Sequence, residues 1–321
     1  MKIFIAGLTI HLLLSFPVSA QFIPGLDLTE TEDLGDGLYA FRFGPYRNIF
    51  LVTDDGVIAT DPLAVKAAAP LREAIATVTD QPVKYVAYSH SHWDHASGGQ
   101  IFKDEGATFV AQRECLINMT ETRHPDVILP DIVFDDAYSI ELGGQSLDMY
   151  YFGPSHDDCM TVMIAKPANI MFIVDITSAP TGWEMEYNPT MAEGYLYNMV
   201  PYLLAVEALA AREGVETIVS GHLALGLKNG KMFAQPSTGP IAAVREKREF
   251  WEILFASVAA EMASGTSAED VPEKLLASEQ FKTDFLDRMD ENKFPMPGVG
   301  WQRPEMRILL RRVATYTETG R

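Results

Sequence analysis

The chain has 321 residues, a formal net charge of −19 and two cysteines. This charge argues against binding to nucleic acid or to an anionic membrane surface, because both need clustered lysine and arginine side chains. Two cysteines exclude a disulfide framework; one bridge between Cys115 and Cys159 is compatible with an exported protein, but the favoured interpretation is two buried free thiols.

The first twenty residues have the pattern of a cleaved secretory signal. Lys2 precedes a mostly apolar stretch, which ends on the small residues Val18, Ser19 and Ala20. The stretch is shorter than the roughly 20 apolar residues that span a bilayer, so an uncleaved anchor is the weaker alternative. We therefore expect residues 1–20 to be a signal peptide and the mature protein to be periplasmic or secreted. No membrane association is expected after cleavage.

The central part of the chain alternates strand and helix patterns. Alternating apolar residues and turn signals predict strands at 37–44, 48–53, 57–61, 83–88, 108–111, within 131–153, and at 161–165, 170–174 and 217–219. Helical spacing predicts helices at 64–79, 113–119 and 191–213. Two β-rich halves, each accompanied by helices, predict an α/β fold in the form of a four-layer αββα sandwich. We assign residues 21–239 to this domain.

Residues 240–321 form a predicted helical C-terminal extension. Helices are expected at 242–262, 268–276 and 304–316. The first of them carries an apolar stripe, which must be covered: Phe250, Trp251, Ile253, Leu254 and Val258. We favour packing of this stripe against the same chain, and homo-oligomer formation through these helices is the alternative.

Three histidines and one carboxylate lie within six residues directly after the strand at 83–88. The two-residue period of a strand places His90 and His92 on the same side, and the following turn redirects Asp94 and His95. Imidazole and carboxylate ligands together suit Zn²⁺ or another first-row divalent metal. Ordinary loop histidines are the alternative, but they are rarely so dense. The run therefore predicts a metal site.

Three further candidate ligands follow later strands. His156, Asp175 and His222 each come shortly after a strand, so all of them should meet the first cluster at one edge of the sandwich. The competing interpretation of Asp175 is a helix cap or turn residue. His124 is the one histidine of the predicted mature chain that lies outside this pattern.

The run His90-Ser91-His92-Trp93-Asp94-His95, followed by His156, Asp175 and His222, resembles the metallo-β-lactamase-fold superfamily of hydrolases over residues 38–225. The resemblance implies two zinc ions, although other divalent metals fit the ligand types. It assigns the first ion to His90, His92 and His156, the second to Asp94, His95 and His222, and a bridging role to Asp175.

The residue at the bridging position separates subgroups of this family. Asp175 is similar to thioesterases, lactonases and other general hydrolases, whereas zinc β-lactamases typically carry Cys or Ser there. Asp157 and Leu223 stand where the family usually has Thr and Gly, and these departures bear on the substrate. Asp157 and Asp158 are interpreted as solvated loop carboxylates in preference to partners of ligand histidines.

Two metal ions would lower the pKa of a shared water and polarise a carbonyl group, so we expect hydrolysis by a metal-bridged hydroxide. Asp94 is the predicted catalytic residue, which orients the hydroxide and transfers a proton. The expected substrate is the ester, lactone or amide bond of a small molecule. The lack of lysine or arginine near these loops favours a neutral ester or lactone over a glutathione thioester or a β-lactam. β-Lactam opening and non-catalytic metal binding are the alternatives.

Two aromatic features near the predicted site have open interpretations. The loop at 177–187 is either a wall for an apolar substrate or simply packing. Tyr195 and Tyr197 are either donors to a developing oxyanion or residues that pack on a helix face.

Overall fold

The computed structural model describes residues 27–183, 194–228, 231–289 and 302–320. The segment at 1–20 that was interpreted as a signal peptide lies outside these residues. Within the described ranges, no helix combines the length and apolar character needed to cross a membrane.

The described residues form fifteen strands and nine α-helices. The strands are β1 (Thr29–Gly35), β2 (Leu38–Phe43), β3 (Tyr46–Thr53), β4 (Gly56–Thr60), β5 (Val83–Ala87), β6 (Thr108–Gln112), β7 (Ile132–Phe134), β8 (Ala137–Leu142), β9 (Gln145–Tyr151), β10 (Thr161–Lys166), β11 (Ile170–Ile173), β12 (Thr217–Ser220), β13 (Leu225–Lys228), β14 (Lys231–Ala234) and β15 (Thr238–Pro240). The helices are α1 (Val65–Val78), α2 (Trp93–Ala96), α3 (Gln100–Asp104), α4 (Arg113–Glu121), α5 (Leu196–Glu213), α6 (Ala242–Ala263), α7 (Val271–Leu276), α8 (Glu279–Asp284) and α9 (Gln302–Thr319).

Two large sheets and one hairpin contain all of these strands. The first sheet runs in the order β1 to β7, antiparallel up to β4 and parallel from β4 to β7. The second runs β15-β12-β11-β10-β9-β8, and its one parallel pair is β11 with β12. Parallel strands place their carboxyl ends at the same edge, so the loops after β5, β11 and β12 can carry a shared site.

Strand periodicity separates three apolar layers. In β10, Val162 and Ile164 pack beneath helices, whereas Met163 and Ala165 pack between the two sheets. The outer face of the first sheet is covered by α1, α3 and α4, which bury Leu71, among others. The outer face of the second sheet is covered by α5 and the C-terminal helices. The prediction of an αββα sandwich with a helical C-terminal region is confirmed.

The C-terminal helices join the core of the second sheet. α6 packs against α5, and α9 packs against α6 and α7. In α6, Phe250 and Leu254 are buried within this core, as the favoured interpretation of the apolar stripe expected. α7 begins at Val271, later than predicted, because Pro272 suits the first turn of a helix and not its interior.

The prediction of two free thiols is wrong. Cys115 in α4 and Cys159 in the loop before β10 form a disulfide, with a sequence separation of 44 residues and a Cα–Cα distance of 5.2 Å. Both residues are fully buried. Their pairing depends on how α4 packs against the loop that precedes β10. No local pattern in the sequence predicts this packing.

Candidate metal centre

The histidine run lies where β5 leaves the first sheet and turns into α2. His92 has an extended backbone and precedes the helix, so Asp94 and His95 lie on the first helical turn. This change of direction lets four side chains from six residues converge on one point. His90 and His95 are fully buried, whereas the side chains of His92 and Asp94 are 35% and 34% exposed. Solvent therefore reaches one face of the cluster.

The first group of side chains comprises His90, His92, His156 and Asp175, and we call it the three-histidine group. His156 Nε2 lies 3.2 Å from His92 Nδ1. Asp175 Oδ2 lies 3.3 Å from both His90 Nε2 and His156 Nε2. Ligands about 2.0–2.1 Å from a tetrahedral zinc ion lie about 3.3–3.4 Å from one another, so these separations fit a zinc site.

The second group comprises Asp94, His95 and His222, and we call it the Asp94 group. His95 Nε2 lies 3.1 Å from His222 Nε2 and 3.9 Å from Asp94 Oδ2. Asp175 also approaches this group, because its Oδ1 lies 2.8 Å from His222 Nε2. The carboxylate of Asp175 thus contacts imidazoles of both groups.

Asp175 lies two residues after the end of β11, in a left-handed backbone conformation with a φ of 54°. Asp is among the few residues other than Gly that tolerate this region. The sequence prediction of a carboxylate between the two groups agrees with this position. All seven predicted ligands are brought together in the two groups, and His124 is not among them.

The hydrogen bonds of Ser89 orient the ring of His90. The Ser89 hydroxyl donates to Asp61 Oδ2 at 2.7 Å, and it lies 2.9 Å from His90 Nδ1. Since a hydroxyl has one proton, Ser89 accepts from His90 Nδ1–H, and Nε2 is the ring nitrogen that remains for a ligand. This buried Nε2 has no hydrogen-bond partner and faces Asp175 Oδ2 at 3.3 Å. A cation between this nitrogen and the carboxylate, either a proton or a metal ion, would satisfy both atoms, so the pair fits a metal site.

The electrostatic environments of the two groups differ. Burial, together with His90 and His156, lowers the pKa of His92 to about 4. Burial also disfavours the charged form of His95, but Asp175, Asp61 and Asp94 outweigh it and raise its pKa to about 9. In the absence of metal, His92 is therefore neutral at neutral pH and His95 is protonated.

The two carboxylates of the centre remain ionised at neutral pH. Burial alone would raise the pKa of Asp175, but His222 and His95 hold it well below its usual range. The pKa of Asp94 is also lowered: burial, the largest single effect, would raise it, but His95, His222 and His90 together outweigh burial and the repulsion of Asp175. Both groups thus present anionic oxygen to a cation.

Asp61 is a supporting residue that the sequence analysis missed. It lies fully buried after β4 and accepts hydrogen bonds from the backbone N–H and the hydroxyl of Ser89. Its Oδ2 also lies 3.4 Å from His95 Nδ1. One carboxylate therefore orients His95 directly and His90 through Ser89. The signal was present in the sequence, because Asp61 ends a buried strand in the same way as Asp175.

Asp157 also differs from its expected environment. It is 6% exposed, and it accepts hydrogen bonds from the backbone N–H of Ser91 at 3.1 Å and from the Ser91 hydroxyl at 2.5 Å. The interpretation of Asp157 as a solvated loop carboxylate is wrong, because the loop after β9 folds onto the histidine run. Asp158 accepts from the hydroxyl of Tyr195, which is thus engaged beside the site.

Arg47 holds the loop that carries His222. Its guanidinium is buried and donates to the backbone carbonyls of Ser220 at 3.1 Å and of His222 at 2.9 Å. Burial lowers the pKa of Arg47 to about 10, so it remains charged at neutral pH. Tyr46 lies edge-on to His222, with 5.3 Å between ring centroids. The positions of Tyr46 and Arg47 between two predicted strands do not predict their contacts with the loop of His222.

His124 and Trp93 lie beside the centre. Their ring centroids are 4.4 Å apart, and Trp93 is 51% exposed. His124 Nδ1 accepts from the backbone N–H of Asp126 at 3.2 Å. His124 therefore makes local contacts in this loop, and its exclusion from the ligands stays a prediction.

The described part of the loop at 177–187 packs into the C-terminal helices. Trp183 is 6% exposed and contacts Phe250 and Phe285. The backbone N–H of Gly182 donates to Glu246 Oε2 at 3.0 Å, and a Cβ at Gly182 would lie 2.1 Å from the carbonyl oxygen of Ala243. For these residues the packing interpretation holds; positions 184–187 lie outside the described residues.

Comparisons with known proteins agree with the fold. The sequence matches the profile of the Metallo-beta-lactamase superfamily over residues 43–222. A metallo-beta-lactamase from Pontibacter korlensis is 18% identical with a TM-score of 0.55, and the match covers 70% of this chain and 99% of that one. The metallo-beta-lactamase DIM-1 is 12% identical with a TM-score of 0.53, over 70% of this chain and 98% of that one.

A variant of the sec-alkyl sulfatase PisA1 shares the same fold. It is 12% identical with a TM-score of 0.58, over 77% of this chain and 45% of the sulfatase. No curated protein sequence matches the chain. At these identities the solved structures establish the fold and carry no statement about the substrate.

Histidine and aspartate side chains clustered at one edge of a four-layer sandwich form a candidate metal centre. The profile match covers more than half of the sequence, and this chain belongs to the metallo-beta-lactamase superfamily. Members of this superfamily are generally hydrolases.

Proposed function

We propose that the protein is an exported hydrolase that binds two zinc ions and cleaves an ester, lactone or amide bond of a small molecule, with ester or lactone favoured. The observation that carries the proposal is the position of Asp175. Its carboxylate lies 3.3 Å from imidazoles of the three-histidine group and 2.8 Å from His222 of the Asp94 group. A carboxylate shared in this way suits two neighbouring metal ions.

When bound, such ions supply a water of lowered pKa and polarise the carbonyl group of the substrate. Asp94 is suited to proton transfer, because it is ionised at neutral pH and its side chain is 34% exposed at the open face of the site. Asp61 and Ser89 fix the ring orientation of His95 and His90, and Arg47 fixes the loop of His222. These contacts keep the ligand set in place while substrate enters.

Two observations support export. The first twenty residues have the composition of a secretory signal. The disulfide between Cys115 and Cys159 is of a kind that persists in oxidising compartments. We therefore propose a periplasmic or secreted location for the mature chain.

The test combines metal content with a substrate panel. Protein purified from an oxidising compartment is analysed for zinc and assayed with an aryl ester, an acyl homoserine lactone and nitrocefin. We expect two zinc ions per chain and hydrolysis of the ester or lactone at least about tenfold faster than that of nitrocefin. For variants of the ligand residues, Asp126→Asn is the matched control, because Asp126 is an exposed neighbour of His124 outside both groups.

Each alternative has its own result. Fastest turnover of nitrocefin would identify a β-lactamase. A zinc-loaded chain that is inert on the whole panel would indicate a non-catalytic metal-binding protein. A chain that binds no metal would contradict the proposal altogether.

A further inference from the structure

The helix α4 lies next to two of the loops that build the three-histidine group. Its residue Cys115 is joined by the disulfide to Cys159, three residues after His156. Both cysteines are fully buried, so the cross-link lies inside the packed layer and not at its surface. The loop that carries His156 is therefore covalently tied to α4.

Asn118 makes the second connection from the same helix. It lies one turn after Cys115, on the same face, and its side-chain amide lies 3.3 Å from the hydroxyl of Ser91. The same amide approaches Asp157 Oδ1 and Asp158 Oδ2, each at 3.2 Å. One side chain of α4 thus contacts both the run that contains His92 and the loop that contains His156.

Asp157 completes the connection to the histidines. Its side chain is 4% exposed, and its Oδ2 lies 3.9 Å from His92 Nε2. The other ring nitrogen of His92, Nδ1, faces His156 at 3.2 Å. The ring of His92 is therefore placed between the ligand group on one side and a buried carboxylate on the other. Asp157 also accepts from the backbone N–H of Cys159 at 3.1 Å, which links this carboxylate to the disulfide.

We infer that the disulfide and Asn118 act as positioning residues for the three-histidine group: they hold the loops of His92 and His156 at the separation that metal binding requires. The inference rests on the proposed metal binding but not on hydrolysis. The Asp94 group should be much less dependent on α4, because His95 is oriented by Asp61 and the loop of His222 is held by Arg47.

The connections predict a selective loss of metal affinity. Mutation of a residue that orients a ligand histidine typically lowers metal affinity by about 10–100-fold. If the disulfide contributed only general stability, its removal would lower the melting temperature and change the zinc affinity of both groups by the same factor. A loss of zinc affinity in the three-histidine group alone would therefore indicate positioning, and an equal loss in both groups would indicate general stabilisation.

The experiment measures zinc affinity in the full mature chain by competition with a chromophoric chelator. The variants are Cys115→Ala with Cys159→Ala, which removes the cross-link without leaving a thiol, and Asn118→Ala, which keeps it. Each is made in a His222→Ala background, where the three-histidine group is left, and in a His156→Ala background, where the Asp94 group is left. Thr120→Ala is the control, since its exposed side chain bonds only within α4.

We expect a loss of about tenfold or more in the His222→Ala background and a change within about twofold in the His156→Ala background. Cobalt spectra of the His222→Ala proteins should show a changed ligand geometry. Equal losses in both backgrounds, or no loss in folded variants, would overturn the inference. Should the double cysteine variant fail to fold, Asn118→Ala decides the question alone.

These outcomes are distinguishable from failure of the proposed function. A chain that shows the selective loss of affinity but hydrolyses no substrate would contradict the hydrolase and leave the positioning role intact. A parent chain that binds no zinc would overturn both.

Discussion

The two ligand groups lie side by side but are built in different ways. The three-histidine group is held by a helix, a disulfide and the buried carboxylate of Asp157. The Asp94 group depends on a short helical turn and on a loop that Arg47 holds through backbone carbonyls. The protonation states also differ, since the pKa of His92 is about 4 and that of His95 is about 9. The comparison indicates that His92 can bind metal at neutral pH without losing a proton, whereas His95 must lose one.

The largest expected effect concerns Asp94. Asp94→Ala should lower kcat by several orders of magnitude with the fold retained, because the variant loses both a ligand and the proton-transfer group. Zinc content should fall from two ions to one while the three-histidine group stays loaded. Steady-state kinetics and metal analysis check this, and near-normal turnover would rule out the proposed role of Asp94.

The second prediction concerns the pH dependence of zinc affinity, which should differ between the two groups. The raised pKa of His95 means that a proton competes with metal at all pH values below about 9, so zinc affinity of the Asp94 group should rise by up to about tenfold per pH unit from about pH 6 to about pH 8. In the three-histidine group, His92 contributes no such dependence there, because its pKa is about 4. Zinc titrations of the His156→Ala protein measure the first slope. A flat profile would contradict the difference in protonation.

The same shift has a consequence for the metal-free protein. Because the pKa of His95 is raised by folding, its contribution to the free energy of unfolding is fully present below about pH 6.5 and is lost as the pH rises through about 9. Binding of metal to His95 removes this dependence.

A third prediction tests whether one residue supports both groups equally. Asp61→Asn keeps the size of the side chain but removes the charge that faces His95 and one of the two acceptor oxygens that hold Ser89. We expect zinc affinity to fall by about tenfold in each group, measured by chelator competition in the His222→Ala and His156→Ala backgrounds. Loss in one group alone would show that Asp61 serves only that group.

The smallest expected effect concerns His124. His124→Ala removes the ring that contacts Trp93 but no predicted ligand, so zinc content should stay at two ions per chain. Metal analysis of the purified variant checks this result. A decrease to one ion would show that the ligand assignment is wrong.

Sequence reasoning identified the layers of the fold because alternation and helical spacing are local properties. It also placed His90, His92, Asp175 and His222 at one edge, because residues that follow neighbouring strands meet there. The metal-binding roles of these residues stay predictions.

The contacts that sequence reasoning missed all depend on long-range packing. The disulfide joins residues 44 positions apart, and Arg47 bonds to carbonyls more than 170 positions away. The burial of Asp157 depends on the loop after β9 folding onto the histidine run. Nothing in the local pattern of residues around these positions specifies their partners.

The anchoring of Trp183 bears on how freely segments of this chain can be exchanged in evolution. The loop that starts at Asp175 ends in the C-terminal helices, where Gly182 permits a close approach to α6 and Arg288 lies 3.9 Å above the ring of Trp183. A recombination event that replaced residues 240–321 by an unrelated segment would leave this loop without its far attachment. We therefore expect substitutions in α6 to covary with substitutions at residues 175–183.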